Sequence, residues 1–541
     1  MQLVSVLGMV VILGLAWALS YHRRQVRLRP VAWGLALQFV FAVIVLRQDA
    51  ASFAGMVVLA GLLAAYLLRR FPGVEPRPWA GVAVVSLAAA GGAAGLALLD
   101  AAATTWGVVA ALGLLVANGR LRLAPRLQPV LAVVLVACGV AFLVAHGWHG
   151  QRIFAAFSEQ VSKFLNLSDY GARFLFGNLA DPTHFFPGEG AAWPGFGFQF
   201  AFKVLPTIIF FGGFMGVLYY FGIMQRVIEA LARFMRWTIG TSGSETLSCS
   251  ANIFVGQTEA PLLIKPFLEG LTRSELLTVM VGGFATIAGG VLAGYIAMGI
   301  PAAHLIAASV MGAPAALVMG KILYPELEHS HTAGDVKVPE IPVGSNAVEA
   351  ATGGITDGFK LALNVGAMLV GFIALIAVVD VVLNWGDALV DGRLLGGTYA
   401  AYGTAGLSPA VGEYRGIFPG SLRTLFGTLL RPLAFVMGVP WADAAAVGNL
   451  LGIKLSLNEF VAYGELASYI QGEAIGQRAE IIATYALCGF ANFSSVGIQI
   501  GGISAIAPSR RADLARVGIK AMLGGALATC LNATIAGMLL S

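Results

Sequence analysis

The sequence predicts an all-α polytopic membrane protein, with about 12 spanning segments plus two re-entrant helical hairpins in an internally repeated transport core. Three observations carry this. First, of 541 residues 58% are hydrophobic and only 11% charged, and the mean hydropathy is +0.82; soluble domains carry roughly a quarter charged residues. Second, apolar runs recur at about the 17–20 residues that a membrane span requires. Third, two polar stretches interrupt such runs: ANIFVGQTEAPLLIKP at 251–266 and LSLNEFVAY at 455–463, with Glu259 and Glu459 set 200 positions apart. Each precedes an apolar segment broken by small and hydroxyl residues, GGFATIAGGVLAG at 282–294 and CGFANFSSVGIQIGG at 488–502. A polar hairpin followed by a broken helix, occurring twice, is the pattern of a transporter built from repeats, with its substrate site where the broken elements meet.

The N-terminal run at 3–19 has no basic residue before it and no small-residue cleavage pattern after it, so it is expected to remain as a spanning helix. Further spans are expected at about 31–46, 51–68, 78–99, 103–118 and 128–146. The loops between them alternate in basic content. Arg23, Arg24, Arg27 and Arg29 follow the first span, and only Arg47 follows the second. Arg69, Arg70 and Arg77 follow the third, none the fourth, and Arg120, Arg122 and Arg126 the fifth. Basic loops face the cytoplasm, so the alternation places the N-terminus outside.

Residues 151–179 are amphipathic at helical spacing, with Ile153, Phe154, Phe157, Val161, Phe164 and Leu165 largely on one face, as in an interfacial helix. The aromatic, Gly- and Pro-rich tail at 184–198 belongs at the interface too. A long span at 198–223 and a basic amphipathic stretch at 224–237 follow. The first hairpin is expected at 244–270, the first broken helix at 275–298 and a span at 302–323. A hydrophilic connector at 324–355 leads to a span at 357–384 and a Gly-rich loop at 385–420. The second hairpin region at 421–470, the broken helix 480–505, the basic turn 508–516 and a last span close the chain. The expected divisions are thus 1–47, 48–149, 150–240, 241–323, 324–420 and 421–541.

A carboxylate at membrane depth costs at least about 3 kcal/mol on insertion scales, so Glu259 and Glu459 need a reason. One is that they pair with Lys265, Lys454 or each other and hold the bundle together. The other is that they accept hydrogen bonds from the hydroxyls of a polar solute. Gln257 adds an amide that both donates and accepts, suited to a heterocyclic base edge, and Asn492, Ser494 and Ser495 add further groups. Such a set suits a neutral, hydroxyl-rich molecule. A phosphorylated one calls for convergent arginines, which these segments lack. A cation site is also expected: Asn252, the Val255 carbonyl, the Thr286 hydroxyl and the Ile287 carbonyl are oxygen ligands of the kind hard cations prefer. The competing reading of a Ser or Thr in a helix break is a backbone cap. The net charge of +5 bears on topology and gives no reason to expect a nucleic-acid partner. Cys138, Cys249, Cys488 and Cys530 sit in apolar runs without metal-ligand spacing, and no nucleophile or HExxH pattern accompanies the glutamates, so no enzyme is expected.

The motifs GQTEAPLLIKPF (256–267), GGFATIAGGVLAGY (282–295), NEFVAY (458–463) and CGFANFSS (488–495), supported by VLPTIIFF (204–211), LALNVGAML (361–369) and IAPSRRADLARVGIKA (506–521), resemble the concentrative nucleoside transporter family. The resemblance covers about 1–47 and 150–541. It implies a cation-coupled nucleoside symporter of the cytoplasmic (inner) membrane, a homotrimer whose hairpins and broken helices move elevator-like against a scaffold. It further implies that Gln257, Thr258, Glu259 and Val291 contact the nucleobase, and that Glu459, Asn492 and Ser495 bind the ribose. Phe490 would line the pocket, while Asn252, Val255, Thr286 and Ile287 would hold Na+. A proton is the alternative coupling ion, with Glu259 or Glu459 as its carrier. The compact bacterial members have no counterpart of about 48–149, an insert of roughly four spans.

Overall fold

The computed structural model describes residues 1–69, 79–121, 127–180, 199–332, 344–397 and 417–540. The regular elements among the described residues are all helices, with no strand, so the all-α polytopic expectation holds. The chain divides into two compact units, one of residues 36–157 and one of 1–35 with 158–539.

In chain order the first helices are α1 (Gln2–Ala18), α2 (Leu28–Leu46), α3 (Ala50–Leu68), α4 (Trp79–Leu96), α5 (Ala101–Leu121) and α6 (Gln128–Ala145). They match the expected spans to within a few residues. Within the 36–157 unit, α3 packs on α4 and α6, and α5 on α6. Ala60, Ala93 and Val140 form its buried cluster. Of the residues used to read topology, Arg70, Arg77, Arg122 and Arg126 lie outside the described residues, as do the tail 184–198, the connector's centre 333–343 and most of the Gly-rich loop, 398–416.

The chain passes into the larger unit within α7 (Gly150–Leu165), and α8 (Ser168–Phe176), α9 (Phe200–Tyr220) and α10 (Ile223–Ile239) follow there. On the apolar face of α7, Phe164 lies 5.1 Å from Phe210 and 4.5 Å from Phe214 of α9, ring centre to ring centre, whereas Phe157 is exposed. A helical hairpin is made of α11 (Gly243–Ala251), a non-helical tip and a 3-10 segment (Ala260–Gly270), where Pro261 and Pro266 deny the backbone donors an α-helix needs. The first broken helix is α12 (Arg273–Ala285) and α13 (Gly289–Ala297), and α14 (Ala302–Leu323) comes next.

Two boundaries differ from expectation. The connector was expected to run to 355, but α15 (Ala347–Asp387) begins earlier, because Asn346 caps it by accepting from the Val348 and Glu349 amides. It also runs past 385 into a π-helical turn, Ala388–Leu394. The region 421–470, expected as one hairpin, is three helices: α16 (Leu422–Val436), α17 (Ala444–Ser456) and α18 (Glu459–Gln471). The chain ends with the second broken helix, α19 (Gln477–Leu487) and α20 (Phe493–Ile506), and α21 (Arg511–Leu539).

Among the described residues, nine helices are long and apolar enough to cross a membrane, with α12 and α13 counted together. The helix α1 is shorter, at 17 residues. The spans α12–α13, α14 and α21 are mostly buried and pack on one another, whereas α15 is almost entirely surface. Helix α15 packs on α9 through glycines: a Cβ on Gly354 would lie 2.3 Å from the Gly212 carbonyl oxygen, and one on Gly212 would lie 2.5 Å from that of Gly354. Small residues let two membrane helices approach at backbone distance.

Candidate substrate and ion site

The two breaks meet. The Phe490 amide donates to the Thr286 carbonyl oxygen at 3.3 Å, and a Cβ on Gly489 would lie 2.5 Å from the Phe284 carbonyl oxygen. Breaking a helix leaves its last carbonyls and next amides without intrahelical partners, and here each break supplies what the other lacks.

Glu459 opens α18. Its carboxylate is buried and accepts from Tyr295 Oη at 3.2 Å and from Asn492 Nδ2 at 3.1 Å. Lys454, fully buried as well, turns elsewhere: its ammonium donates to the Ala486 carbonyl oxygen at 2.8 Å and to Thr529 Oγ1 at 2.9 Å. The pairing reading for Glu459 with Lys454 is therefore wrong, because a helix-end carbonyl and a hydroxyl satisfy the lysine first. Asn492 serves two ends at once. Its Oδ1 caps α20 by accepting from the Ser495 amide at 2.8 Å, and also accepts from Ser494 Oγ at 2.7 Å, while its Nδ2 reaches Glu459.

The hairpin tip joins this set. Gln257 is buried and donates through Nε2 to Ser495 Oγ at 3.2 Å. Thr258 packs over α20, since a Cβ on Gly502 would lie 2.7 Å from Thr258 Cγ2. Val291 is buried in the first turn of α13, and Phe490 is half-buried beside the breaks. Glu259 stands apart from Glu459. It is exposed and lines a cavity of about 490 Å³ with Tyr219, Phe254 and Val255. Lys265 is exposed too.

Of the expected cation ligands, Asn252 is buried and donates through Nδ2 to the Ser248 carbonyl oxygen at 3.1 Å. Its Oδ1 is buried without a donor among the described residues, as is Ser248 Oγ one turn before. Such orphaned oxygens are rare and ask for a partner. Thr286 Oγ1 donates to the Gly282 carbonyl oxygen at 2.8 Å, the capping role that competes with ion binding, although its lone pairs stay free to accept. The tip and the break are stitched together by the Gly289 amide donating to the Phe254 carbonyl oxygen at 3.0 Å, and Ser309 of α14 holds the Ile253 carbonyl at 3.0 Å. Ile287 is fully buried between them in sequence. The donor set is amide, hydroxyl and carbonyl oxygen, and it fits a hard cation of low charge.

Sequence reasoning missed three groups. Tyr295 lies one turn after Val291, a spacing that puts both on one helix face. Gln499 lies one turn after Ser495 and its Nε2 donates to Gln257 Oε1 at 3.0 Å. The third is a buried network away from the breaks. Lys321 of α14 pairs with Glu245 of α11 at 2.7 Å and donates to Ser274 Oγ at 2.9 Å, and Glu275 beside it accepts from Ser330 and Thr332, each at 2.6 Å. A lone lysine inside an apolar run carries no sign of its partner.

Two broken helices meeting at buried, uncharged polar groups around one carboxylate define a secondary transporter. Comparison with known proteins agrees. The family model described as Na+ dependent nucleoside transporter C-terminus matches residues 304–537, that described as nucleoside recognition matches 201–302, and the N-terminal model matches 7–66 and 106–179. An uncharacterized transporter of Haemophilus influenzae is 42% identical over 80% of this chain and 95% of its own length. The rat sodium/nucleoside cotransporter 1 is 41% identical over 76% of this chain and 58% of its own length. The structure of CNTnw in an inward-facing substrate-bound state matches with a TM-score of 0.69 and 32% identity over 100% of this chain and 99% of that one. A CNTnw variant in an outward-facing state matches at 0.70 and 31%, over 99% and 97%. The chain belongs to the concentrative nucleoside transporter family. It is a multi-pass membrane transporter and not an enzyme.

Proposed function

We propose that this protein is a sodium-coupled nucleoside symporter. The observation that carries the substrate is the Glu459 carboxylate, buried without an ion pair among the described residues, holding Tyr295 and Asn492 beside Ser495 and the Gln257 amide. In this reading Glu459, Asn492 and Ser495 take the ribose hydroxyls. Gln257, Thr258 and Val291 face the base, and Phe490 lines the pocket. Glu259 joins the base side by a movement of the tip. Sodium binds Asn252, Val255, Thr286 and Ile287, and the orphaned Asn252 Oδ1 supports that placement. Sodium then orders the tip that carries Gln257, so nucleoside and ion raise each other's affinity by one factor.

Transport is elevator-like, the hairpins and broken helices moving against a scaffold that includes α9 and α15. The family's sampling of both inward- and outward-facing states supports alternating access, and the surface-lying α15 supports a homotrimer packed through it. The arginine alternation supports a cytoplasmic-membrane location with the N-terminus outside. Uptake of labelled nucleosides into vesicles holding the purified protein, with and without an inward sodium gradient at fixed pH, tests the reading; accumulation requires sodium. A second reading keeps the substrate and couples to protons, favoured by the unpaired burial of Glu459. Accumulation driven by a pH gradient without sodium selects it.

A further inference from the structure

The hairpin tip and α20 meet through two glutamines, and one fixes the orientation of the other. Gln499 is fully buried, and its Nε2 donates to two acceptors: the Met280 carbonyl oxygen at 3.2 Å and Gln257 Oε1 at 3.0 Å. A backbone carbonyl only accepts, so the NH2 end of Gln499 must point at Met280. The opposite choice would set its Oε1 against that carbonyl. Its Oε1 therefore lies on the other side, buried without a donor among the described residues. Gln257 has to answer a fixed donor with its own Oε1, which leaves its Nε2 on the Ser495 side, 3.2 Å from Oγ. Ser495 alone sets nothing, because a hydroxyl serves as donor or acceptor. The orientation originates at a main-chain atom and is relayed outward. Gly283 of α12 makes room for the relay: a Cβ there would lie 2.6 Å from Gln499 Nε2 and 2.9 Å from Gln257 Cβ.

We propose that Gln499 is a specificity-determining positioning residue. It holds the Gln257 amide with its N–H side toward the bound base, so that nucleobases offering an acceptor at that edge are favoured over those offering a donor. The proposal rests on the nucleoside reading above. One amide hydrogen of Gln257 serves Ser495, and the other is left for the base. A glutamine free to turn would read either pattern equally well.

Uridine and cytidine separate these cases. They share the ribose and the ring shape, but position 4 carries a carbonyl acceptor in uridine and an amino donor in cytidine. Inosine and adenosine differ in the same sense at position 6. The measurement is the dissociation constant of each nucleoside for the purified full-length protein at saturating sodium, in the wild type, Gln499→Leu and Gln499→Glu. The wild type prefers the carbonyl member of each pair it binds. Gln499→Leu frees the Gln257 amide and moves the ratio toward unity by about fivefold, the worth of one neutral hydrogen bond. Gln499→Glu keeps the size and leaves at most one donor, which the Met280 carbonyl oxygen takes; its remaining acceptor draws Gln257 Nε2 to itself and shifts the ratio further, toward the amino member. A purely structural role would weaken both members of a pair alike and leave the ratio where it was. Ratios unchanged in both variants, or a wild type that does not distinguish the pair, overturn the proposal; the second result needs no variant to fold. A wild type that binds none of the four nucleosides overturns the nucleoside reading itself and this proposal with it.

Discussion

Tyr295 donates a hydrogen bond to Glu459 at 3.2 Å across 164 positions of sequence. The bond ties α13 to the start of α18, so two distant parts of the chain meet at a carboxylate. The Tyr295 ring lies 4.2 Å from that of Tyr463 and 5.0 Å from that of Phe460, which fixes its hydroxyl in place. Tyr295→Phe should weaken nucleoside binding roughly ten- to a hundredfold, since a hydrogen bond to a carboxylate is worth about 1.5–3 kcal/mol. Glu459→Gln should abolish uptake. Equilibrium binding and vesicle uptake measure the two, and a Tyr295→Phe protein with wild-type affinity would remove the tyrosine from the site.

Asn252→Ala should act on the ion. It deletes the buried Oδ1 that has no donor among the described residues. The sodium concentration for half-maximal uptake should rise roughly tenfold, the worth of about 1.4 kcal/mol, while nucleoside affinity at saturating sodium stays near wild type. By linkage, nucleoside affinity at low sodium should fall. A sodium titration of uptake that is unchanged in the variant would refute the ion assignment.

Lys321→Ala should be destabilising by about 3–5 kcal/mol, because it leaves the buried Glu245 carboxylate uncompensated. Lys321 and Glu245 side chains are only 7% and 1% exposed, so their charges are compensated by each other more than by water. The double variant Lys321→Met with Glu245→Gln should recover much of the loss. Thermal unfolding of the purified protein measures both; a single variant as stable as wild type would show the network to be idle.

Gly354→Val should lower the unfolding temperature, because its side chain would meet the Gly212 backbone, which cannot move aside as a flexible side chain would. Gly353→Ala is the control: nothing lies within 4 Å of a Cβ there. It should be neutral or slightly stabilising, as alanine exceeds glycine in helix propensity by roughly 1 kcal/mol.

The sequence by itself determined the polytopic helical class, the first helices and the two helix breaks, because length, hydropathy and the placement of Gly and Pro act locally. It also marked Asn252, Gln257, Glu459, Asn492 and Ser495 as polar groups with no reason to be in apolar runs. Only the tertiary structure decided what those groups touch. Lys454, five residues from Glu459, binds Ala486 and Thr529 instead, and Glu459 is held by Tyr295 and Asn492 from distant helices. Glu259 and Gln257 are two residues apart, yet one opens to a cavity and the other is buried against α20. Gln499 was visible as a letter in a motif, but its partners are a carbonyl of α12 and a side chain of the tip. Burial and backbone geometry leave their mark along the chain, whereas a hydrogen-bond partner is chosen by which helices pack together, and a single sequence does not encode that in any local pattern.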